Sequence, residues 1–267
     1  MGNLGWLLLN SLQGVFLCVW TVLCAVLSLV LLLLTFSQKL ALAVPRVIWS
    51  PGLFWISGLH LEVEGREQVD FTQPHIFVLN HQSMADICVG FVAIPVGLRF
   101  VAKKALAFVP FLGWYMWATG MVFVDRGNSR QAIRSLNKAG EQIRAGANII
   151  AFPEGTRSTD GVIKPFKKGI FVVALNSGVP IVPVAIEGAH RVLPPGGLHL
   201  RPGLVRARIG RPIPTAGYTK ADLEVLVRDV RSNLIALHRD IGGAGGDPER
   251  AVAPRQQHHH NGVPHPS

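Results

Sequence analysis

The chain has 267 residues, of which 49% are hydrophobic, and a mean hydropathy of +0.35, which is more apolar than an ordinary cytosolic enzyme. Its 26 basic and 16 acidic side chains give a net charge of +10, which suits an anionic membrane surface. The sequence contains neither zinc-finger spacing nor a basic stripe interleaved with aromatic residues, so no nucleic-acid partner is expected.

The first element is a long apolar segment at the amino terminus. Residues 15–36 consist mostly of Leu, Val, Phe and Trp, and this length is sufficient to cross a bilayer core of about 30 Å. A signal peptide fits poorly, because no basic region precedes the segment and no small-residue cleavage site follows it. Lys39 and Arg46 lie just beyond the segment, so the positive-inside rule predicts that the remaining chain is cytoplasmic, at an inner membrane if the protein is bacterial.

A second apolar segment covers residues 40–60 and is interrupted by Pro45 and Pro51. Its tryptophans favour a helical segment that lies in the membrane interface or dips into the bilayer, although burial in the α/β domain remains an alternative. We therefore expect a membrane anchor over residues 1–60.

Residues 61–241 have the pattern of an α/β domain, a mixed sheet covered by helices. A helix is expected after Asn128 or Ser129 and another after Thr219. Residues 242–267 lack apolar periodicity and are expected to be disordered. The apolar runs that predict strands are His75–Leu79, Leu98–Ala102, Met121–Val124, Asn148–Phe152, Ile181–Ile186 and Val205–Ile209.

A histidine and an aspartate directly follow the first of these strands. A general base needs an imidazole whose second nitrogen is held by an acceptor, and a nearby carboxylate is the usual partner. His81 and Asp86 are five residues apart, so within one helix they would not meet. At a strand-to-helix junction they can meet, with His81 in the turn and Asp86 in the first helical turn.

Further polar residues follow other predicted strands. Arg126 follows Met121–Val124, and Glu154, Gly155, Thr156 and Arg157 follow Asn148–Phe152. Lys103 follows Leu98–Ala102, although the adjacent Lys104 is nearly as good a candidate. Ligands of α/β sheets bind at the carboxyl ends of strands, and arginine binds phosphate oxygens in a bidentate manner. The pattern therefore predicts a base beside an anion-binding pocket, which suits chemistry on a hydroxyl of a phosphorylated lipid.

Four stretches, in this order, resemble the four motifs of the glycerolipid acyltransferase family. They are Asn80–Asp86, Gly120–Arg126, Phe152–Arg157 and the proline-containing Val179–Ile186. The resemblance covers roughly residues 61–209 and implies the fold of that family.

The resemblance also implies the roles of the candidate residues. His81 would be the general base, held by Asp86, and backbone amides near this motif would stabilise the oxyanion. The acceptor phosphate would be held by Lys103, Arg126, Gly155, Thr156 and Arg157, with Glu154 ordering the pocket by pairing with an arginine. The fourth motif would line the acyl chain.

The implied reaction is acyl transfer from acyl-CoA or acyl carrier protein to 1-acyl-glycerol-3-phosphate, giving phosphatidic acid, without a metal or cofactor. Cys88 is not expected to be a nucleophile, because it lies within an apolar helical segment. Three alternatives remain open: another lysophospholipid or lyso-aminolipid acceptor, a catalytically silent lipid-binding protein, and a phosphate-ester hydrolase. The sequence leaves the donor and the acyl chain length undetermined.

Overall fold

The computed structural model describes residues 3–125, 129–195 and 200–246. The amino-terminal region is helical: α1 (Asn3–Thr35) is followed by α2 (Gln38–Val44), a π-helical turn (Pro45–Trp49) and α3 (Ser50–Ser57). The span predicted over residues 15–36 is thus helical up to Thr35, in a helix that begins twelve residues earlier. By length and composition, Leu8–Thr35 and Gln38–Ser57 could each cross a membrane.

The second helical stretch, Gln38–Ser57, folds back along α1 as a hairpin. The side chain of Gln13 donates to the carbonyl of Ile56 over 3.0 Å, and the indole of Trp20 donates to the carbonyl of Trp49 over 3.1 Å. Gly52 is required at this crossing, because a Cβ there would lie 2.4 Å from the Trp20 indole nitrogen. The second helical stretch therefore approaches α1 so closely that the Trp20 side chain packs against the backbone at Gly52.

The inner face of the second stretch packs on the α/β domain. Leu42 and Leu53 are buried, and the Trp49 ring meets the Phe91 ring edge-on at 6.0 Å. The prolines do not break this helical stretch, since Pro51 occupies a first turn and Pro45 begins the π-helical turn. The segment predicted at residues 40–60 is therefore helical and lies between α1 and the α/β domain.

The α/β domain alternates strands with helices as predicted, with strand bounds that differ by one or two residues. Its strands are β1 (Leu59–Glu64), β2 (Ile76–Leu79), β3 (Leu98–Lys103), β4 (Val122–Val124), β5 (Asn148–Ala151), β6 (Ile181–Glu187) and β7 (Gly203–Ile209). Its helices are α4 (Ala85–Ala93), α5 (Leu112–Ala118), α6 (Ser129–Arg144), α7 (Gly169–Ser177), α8 (Ala189–Val192) and α9 (Leu223–Asp240). Short 3₁₀ turns cover Arg66–Gln68, Lys104–Phe108 and Lys220–Asp222, the last capped by Thr219.

In the described residues the strands form a seven-stranded mixed sheet in the order β1-β7-β6-β2-β5-β3-β4. All neighbours are parallel except β6 and β7. The carboxyl ends of β2 to β6 therefore lie at one edge, which we call the site edge. The sequence did not predict β1, whose alternating apolar and charged residues give it one exposed face, and the boundary predicted after residue 60 lies within it.

Successive side chains of β2 point to opposite faces of the sheet. Phe77 and Leu79 belong to an apolar cluster with α4 and α5, whereas Ile76 and Val78 belong to a second cluster with α6, α7 and α9. Helices thus cover both faces, as the mixed α/β prediction requires. Strand β6, predicted to line the acyl chain, is buried along its whole length between β2 and β7, so it belongs to the core.

The tail predicted to be disordered begins as packed chain. The carbonyl of Gly245 accepts the backbone N–H of Ile163 over 2.7 Å, and its own N–H donates to Nδ1 of His238 over 3.1 Å. The prediction is therefore wrong for residues 242–246, because these glycines can pack closely against α9. Residues 247–267 lie outside the described residues.

Candidate active site

Asn80 directly follows β2 and directs the chain into the site. Its side-chain amide donates to the carbonyl of Ile186 and accepts the backbone N–H of the same residue, each over 2.8 Å. The side chain thereby replaces the ladder hydrogen bonds that β2 would otherwise make to β6. The main chain is consequently free to turn at His81, at the site edge.

His81 and Asp86 meet at this strand-to-helix junction, as their spacing predicted. Nδ1 of His81 lies 2.8 Å from Oδ2 of Asp86, and the same oxygen accepts the backbone N–H groups of Gln82 and Ser83 over 2.6 and 2.7 Å. Asp86 is fully buried, whereas the His81 side chain is 14% exposed. A carboxylate at Nδ1 fixes the tautomer that carries its proton there, so the Nε2 lone pair is available as a base.

The His81 ring also stacks on Phe152, which follows β5. The ring centroids are 4.3 Å apart and the planes differ by 27°. This contact restricts rotation of the imidazole, and an aromatic face favours a cation when the ring becomes protonated.

Glu154 connects the loop after β5 to the turn after β2. Its Oε1 accepts the backbone N–H of His81 over 2.8 Å and its Oε2 accepts that of Lys164 over 2.9 Å. The expected pairing of Glu154 with an arginine is not found among the described residues, because both oxygens face backbone donors. Burial raises the pKa of Glu154 to about 7, although these two hydrogen bonds oppose the shift.

The carboxylates of Asp86 and Glu154 occupy the backbone amides near His81 that were expected to stabilise the oxyanion. The N–H groups of His81, Gln82 and Ser83 already donate to Glu154 or Asp86, so they are not available for a developing oxyanion. In the part of the chain that the structure describes, the backbone N–H groups of Thr156 and Arg157 have no acceptor. These two amides are the better candidates.

The loop that carries Thr156 and Arg157 lies directly against His81. The backbone N–H of Ser158 donates to the carbonyl of His81 over 2.7 Å. Gly155 has a φ of +73°, a conformation that favours glycine, and allows the loop to turn. Lys164 donates to the carbonyl of Arg157 over 2.8 Å, whereas the Arg157 guanidinium has no partner among residues 3–125, 129–195 and 200–246. This guanidinium is therefore available to an anionic ligand.

Lys103 and Lys104 lie at the carboxyl end of β3 and differ in their surroundings. Lys104 donates to Asp125 and Gln131 over 3.5 and 3.0 Å, whereas Lys103 is exposed and unpaired among the described residues. Because β5 lies between β2 and β3, Lys103 is about 10 Å from β2, the strand that precedes His81. Lys103 is thus a more peripheral cation than Arg157. Arg126, predicted in the same pocket, lies outside the described residues.

A buried polar network behind His81 was not predicted from the sequence. The side chain of Gln82 lies 3.0 Å from Nε2 of His238 and 3.0 Å from Nδ1 of His190. Glu187, at the end of β6, accepts from His238 over 3.0 Å. Burial would raise the pKa of Glu187, but the hydrogen bond from His238 and the nearby positive charges, including Arg191, lower it overall. The network attaches α9 to the residue next to His81.

Cys88 does not serve as a nucleophile in this arrangement. It is buried in α4, and burial raises the pKa of its thiol to about 12, so the reactive thiolate is not formed near neutral pH. The site therefore combines a held imidazole base, a guanidinium and two unoccupied amides. Such a group of residues can deprotonate a hydroxyl beside a bound anion.

Comparison with known proteins gives consistent similarities. A family model described as Acyltransferase matches residues 60–187, which include all four motif-like stretches. The human 1-acyl-sn-glycerol-3-phosphate acyltransferase alpha is 30% identical over 197 residues, covering 72% of this chain and 70% of that protein. The yeast 1-acyl-sn-glycerol-3-phosphate acyltransferase (Saccharomyces cerevisiae) is 36% identical over 188 residues, covering 69% of this chain and 62% of the yeast protein's length.

The fold has a close counterpart among solved structures. The crystal structure of the 1-acyl-sn-glycerophosphate acyltransferase from Thermotoga maritima superposes with a TM-score of 0.77 at 28% identity. The superposition covers 90% of this chain and 96% of that one, so it extends beyond the α/β domain into the amino-terminal helical region.

Proposed function

Because this chain belongs to the acyltransferase family that includes the 1-acyl-sn-glycerol-3-phosphate acyltransferases, we propose that it acylates 1-acyl-glycerol-3-phosphate to phosphatidic acid. The observation that carries the proposal is the 2.8 Å contact between Nδ1 of His81 and the buried Asp86 carboxylate. It leaves Nε2 unprotonated and aligned beside Phe152, at the site edge where an acceptor hydroxyl can bind.

The reaction requires one proton shuttle and no acyl-enzyme. The acceptor hydroxyl attacks the thioester carbonyl while Nε2 of His81 takes its proton, and the new C–O bond gives a tetrahedral oxyanion. Collapse of this species breaks the C–S bond, and the imidazolium returns its proton to the leaving thiolate. The amides of Thr156 and Arg157 are suited to the oxyanion or to the acceptor phosphate, and each well-placed donor to an oxyanion is worth ~3 kcal/mol.

The acceptor phosphate is assigned to the Arg157 guanidinium and the loop that begins at Gly155, with Lys103 as an outer contact. The predicted contribution of Arg126 is retained in the proposal. The catalytic domain is assigned to the cytoplasmic face, because Lys39 and Arg46 follow α1. Acyl-CoA and acyl carrier protein are both retained as candidate donors.

The test is acyl transfer by the purified full-length protein in mixed micelles, with each donor supplied separately. His81→Ala is expected to abolish transfer, whereas His60→Ala on the exposed face of β1 is expected to retain it. Wild-type turnover in His81→Ala, or transfer by neither donor, would contradict the proposal.

A second assay addresses the acceptor. Arg157→Ala is expected to raise the KM for 1-acyl-glycerol-3-phosphate at least tenfold, since a lost charge-assisted hydrogen bond costs about 1.5 kcal/mol or more. The control is Arg144→Ala, in the last turn of α6. If a lyso-aminolipid is acylated equally well by the wild type and by Arg157→Ala, a different acceptor is indicated.

A further inference from the structure

An exposed aromatic surface lies beside the site edge. We call it the aromatic patch, and it consists of Phe108, Val109, Phe111, Trp114 and Trp117. Phe108 and Trp117 are 78% and 77% exposed, and Trp114 is 56% exposed. Large aromatic side chains at this exposure, clustered on one surface, usually mark an interaction site.

The exposure results from how α5 packs. Tyr115 and Met116 on the inner face of this helix are buried, so Trp114 and Trp117 necessarily point outward. Gly113 allows the helix to approach the preceding turn closely, since a Cβ there would lie 2.3 Å from the carbonyl oxygen of Ala107. The aromatic patch is therefore held by a well-packed support.

Phe111 adds backbone strain to this arrangement. Its φ of +61° and ψ of −55° are those of a classic γ-turn, and the backbone N–H of Leu112 donates to the carbonyl of Pro110 over 2.7 Å. This conformation is unfavourable for a bulky residue. It places the centroid of the Phe111 ring 5.0 Å from that of the Trp114 ring, and this ring contact offsets part of the backbone strain.

The helix that carries Trp114 and Trp117 of the aromatic patch packs on α1 through its buried face. Ala25 and Leu29 of α1 pack in the same apolar cluster as Tyr115 and Met116 of α5. The opposite face of α1 exposes leucine and valine side chains from Leu8 to Leu33. The patch thus lies next to a helix that is long and apolar enough to cross a membrane.

We propose that the aromatic patch is a membrane-binding surface that enters the interfacial region of a phospholipid bilayer beside α1. Tryptophan prefers this region, because its ring is apolar and its N–H is polar. The exposed Lys103 at the end of β3 lies five residues before Phe108, and the chain carries a net charge of +10, which complements anionic lipid headgroups. Because β3 ends immediately before this segment, its insertion sets the site edge at the level of the headgroups.

The test measures lipid contact at single positions in the full-length chain, without using enzymatic activity. Trp117→Cys and Phe108→Cys are each introduced after replacement of Cys18, Cys24 and Cys88, labelled with an environment-sensitive fluorophore, and reconstituted into vesicles of phosphatidylcholine and phosphatidylglycerol. The matched control is Val172→Cys on α7, an exposed apolar residue on the other face of the sheet. Unchanged thermal melting verifies the fold of each variant.

Lipids that carry a quencher in the upper acyl chain are expected to quench both patch labels at least twofold more strongly than the label at residue 172. Equal quenching at all three positions, or none at either patch position, would overturn the proposal. A patch-label signal that rises with protein concentration in lipid-free detergent and not with lipid would assign the surface to a second copy of the chain, and would overturn it as well.

Discussion

Nδ1 of His81 lies 2.8 Å from Oδ2 of Asp86, and the same oxygen also accepts two backbone N–H groups. This convergence makes Asp86 an organiser of the turn as well as a partner of the imidazole. The other oxygen, Oδ1, is buried and has no partner in the described part of the chain. A replacement of Asp86 therefore affects the site mainly through the hydrogen bonds that Oδ2 accepts.

Asp86→Asn is expected to lose about 10²-fold in kcat, and Asp86→Ala about 10⁴-fold, with smaller changes in KM. The backbone N–H groups of Gln82 and Ser83 should hold the asparagine oxygen in place of Oδ2, so His81 keeps its tautomer and loses only the negative charge. Alanine removes the negative charge and also the acceptor that fixes the tautomer of His81. Steady-state kinetics of the two variants, with Asp70→Asn in an exposed turn as the control, would contradict this interpretation if both lost activity equally.

Glu154 predicts a pH dependence of stability. Burial raises its pKa to about 7, compared with 4.5 when exposed, so the folded state holds an extra proton between these values. The contribution of this group to the free energy of unfolding is full below pH 4.5 and is lost as the pH rises through 7. The pKa difference corresponds to about 3 kcal/mol.

Melting temperatures of the wild type and Glu154→Gln are measured from pH 4 to pH 8. The difference between the two proteins isolates this contribution, because the other titrating groups affect both proteins equally. The wild type is expected to lose stability relative to the variant as the pH rises. Glutamine can accept only one of the two backbone N–H groups, which lowers the variant's stability at every pH without affecting the slope. Parallel curves would show that Glu154 titrates normally.

Gly155, in the loop beside His81, and Gly146, outside that loop, both have a positive φ, so Gly146 provides a matched control for substitution of Gly155. Their φ values are +73° and +89°, so alanine at either position should cost about 1–2 kcal/mol of stability. At Gly155 the new Cβ would also lie 2.9 Å from Cε of Lys167, whose flexible side chain can move. Only Gly155→Ala is expected to impair acyl transfer, at least tenfold, because it displaces the amides of Thr156 and Arg157. Equal activity of the two variants would exclude this loop from the chemistry.

Lys103 and Lys104 are adjacent cations with different expected effects. Lys103→Ala is expected to raise the KM for the phosphate-bearing acceptor severalfold and at most about tenfold, since one exposed cation contributes little more than 1 kcal/mol. Lys104 already pairs with Asp125 and Gln131, so Lys104→Ala should change the KM by less than about twofold. The KM values of the two variants are measured in mixed micelles of constant surface charge. A larger increase in KM for Lys104→Ala than for Lys103→Ala would assign the phosphate contact to Lys104.

Local patterns in the sequence were sufficient for much of the fold and for the His81–Asp86 pair. The apolar runs predicted six strands, and a five-residue spacing predicted a junction. The edge strand β1 was not predicted, because half of its residues are polar. Long-range contacts were also inaccessible: Asn80 bonds to Ile186 over 106 positions and Gln82 contacts His238 over 156 positions. Such contacts depend on the order of strands in the sheet, which no local pattern contains.

The pairing of β1 with β7 has a consequence for synthesis of the chain. Glu62 on β1 lies opposite Arg206 on β7, 144 residues later. At ~5–20 residues per second, a ribosome needs roughly 7–30 s to produce this partner. During that time α1 to α4 are complete, but the sheet of the α/β domain, beside which the inner face of α2 and α3 packs, still lacks β7. A bilayer can cover that face in the interval, so we expect the nascent chain to reach the membrane during translation rather than after release.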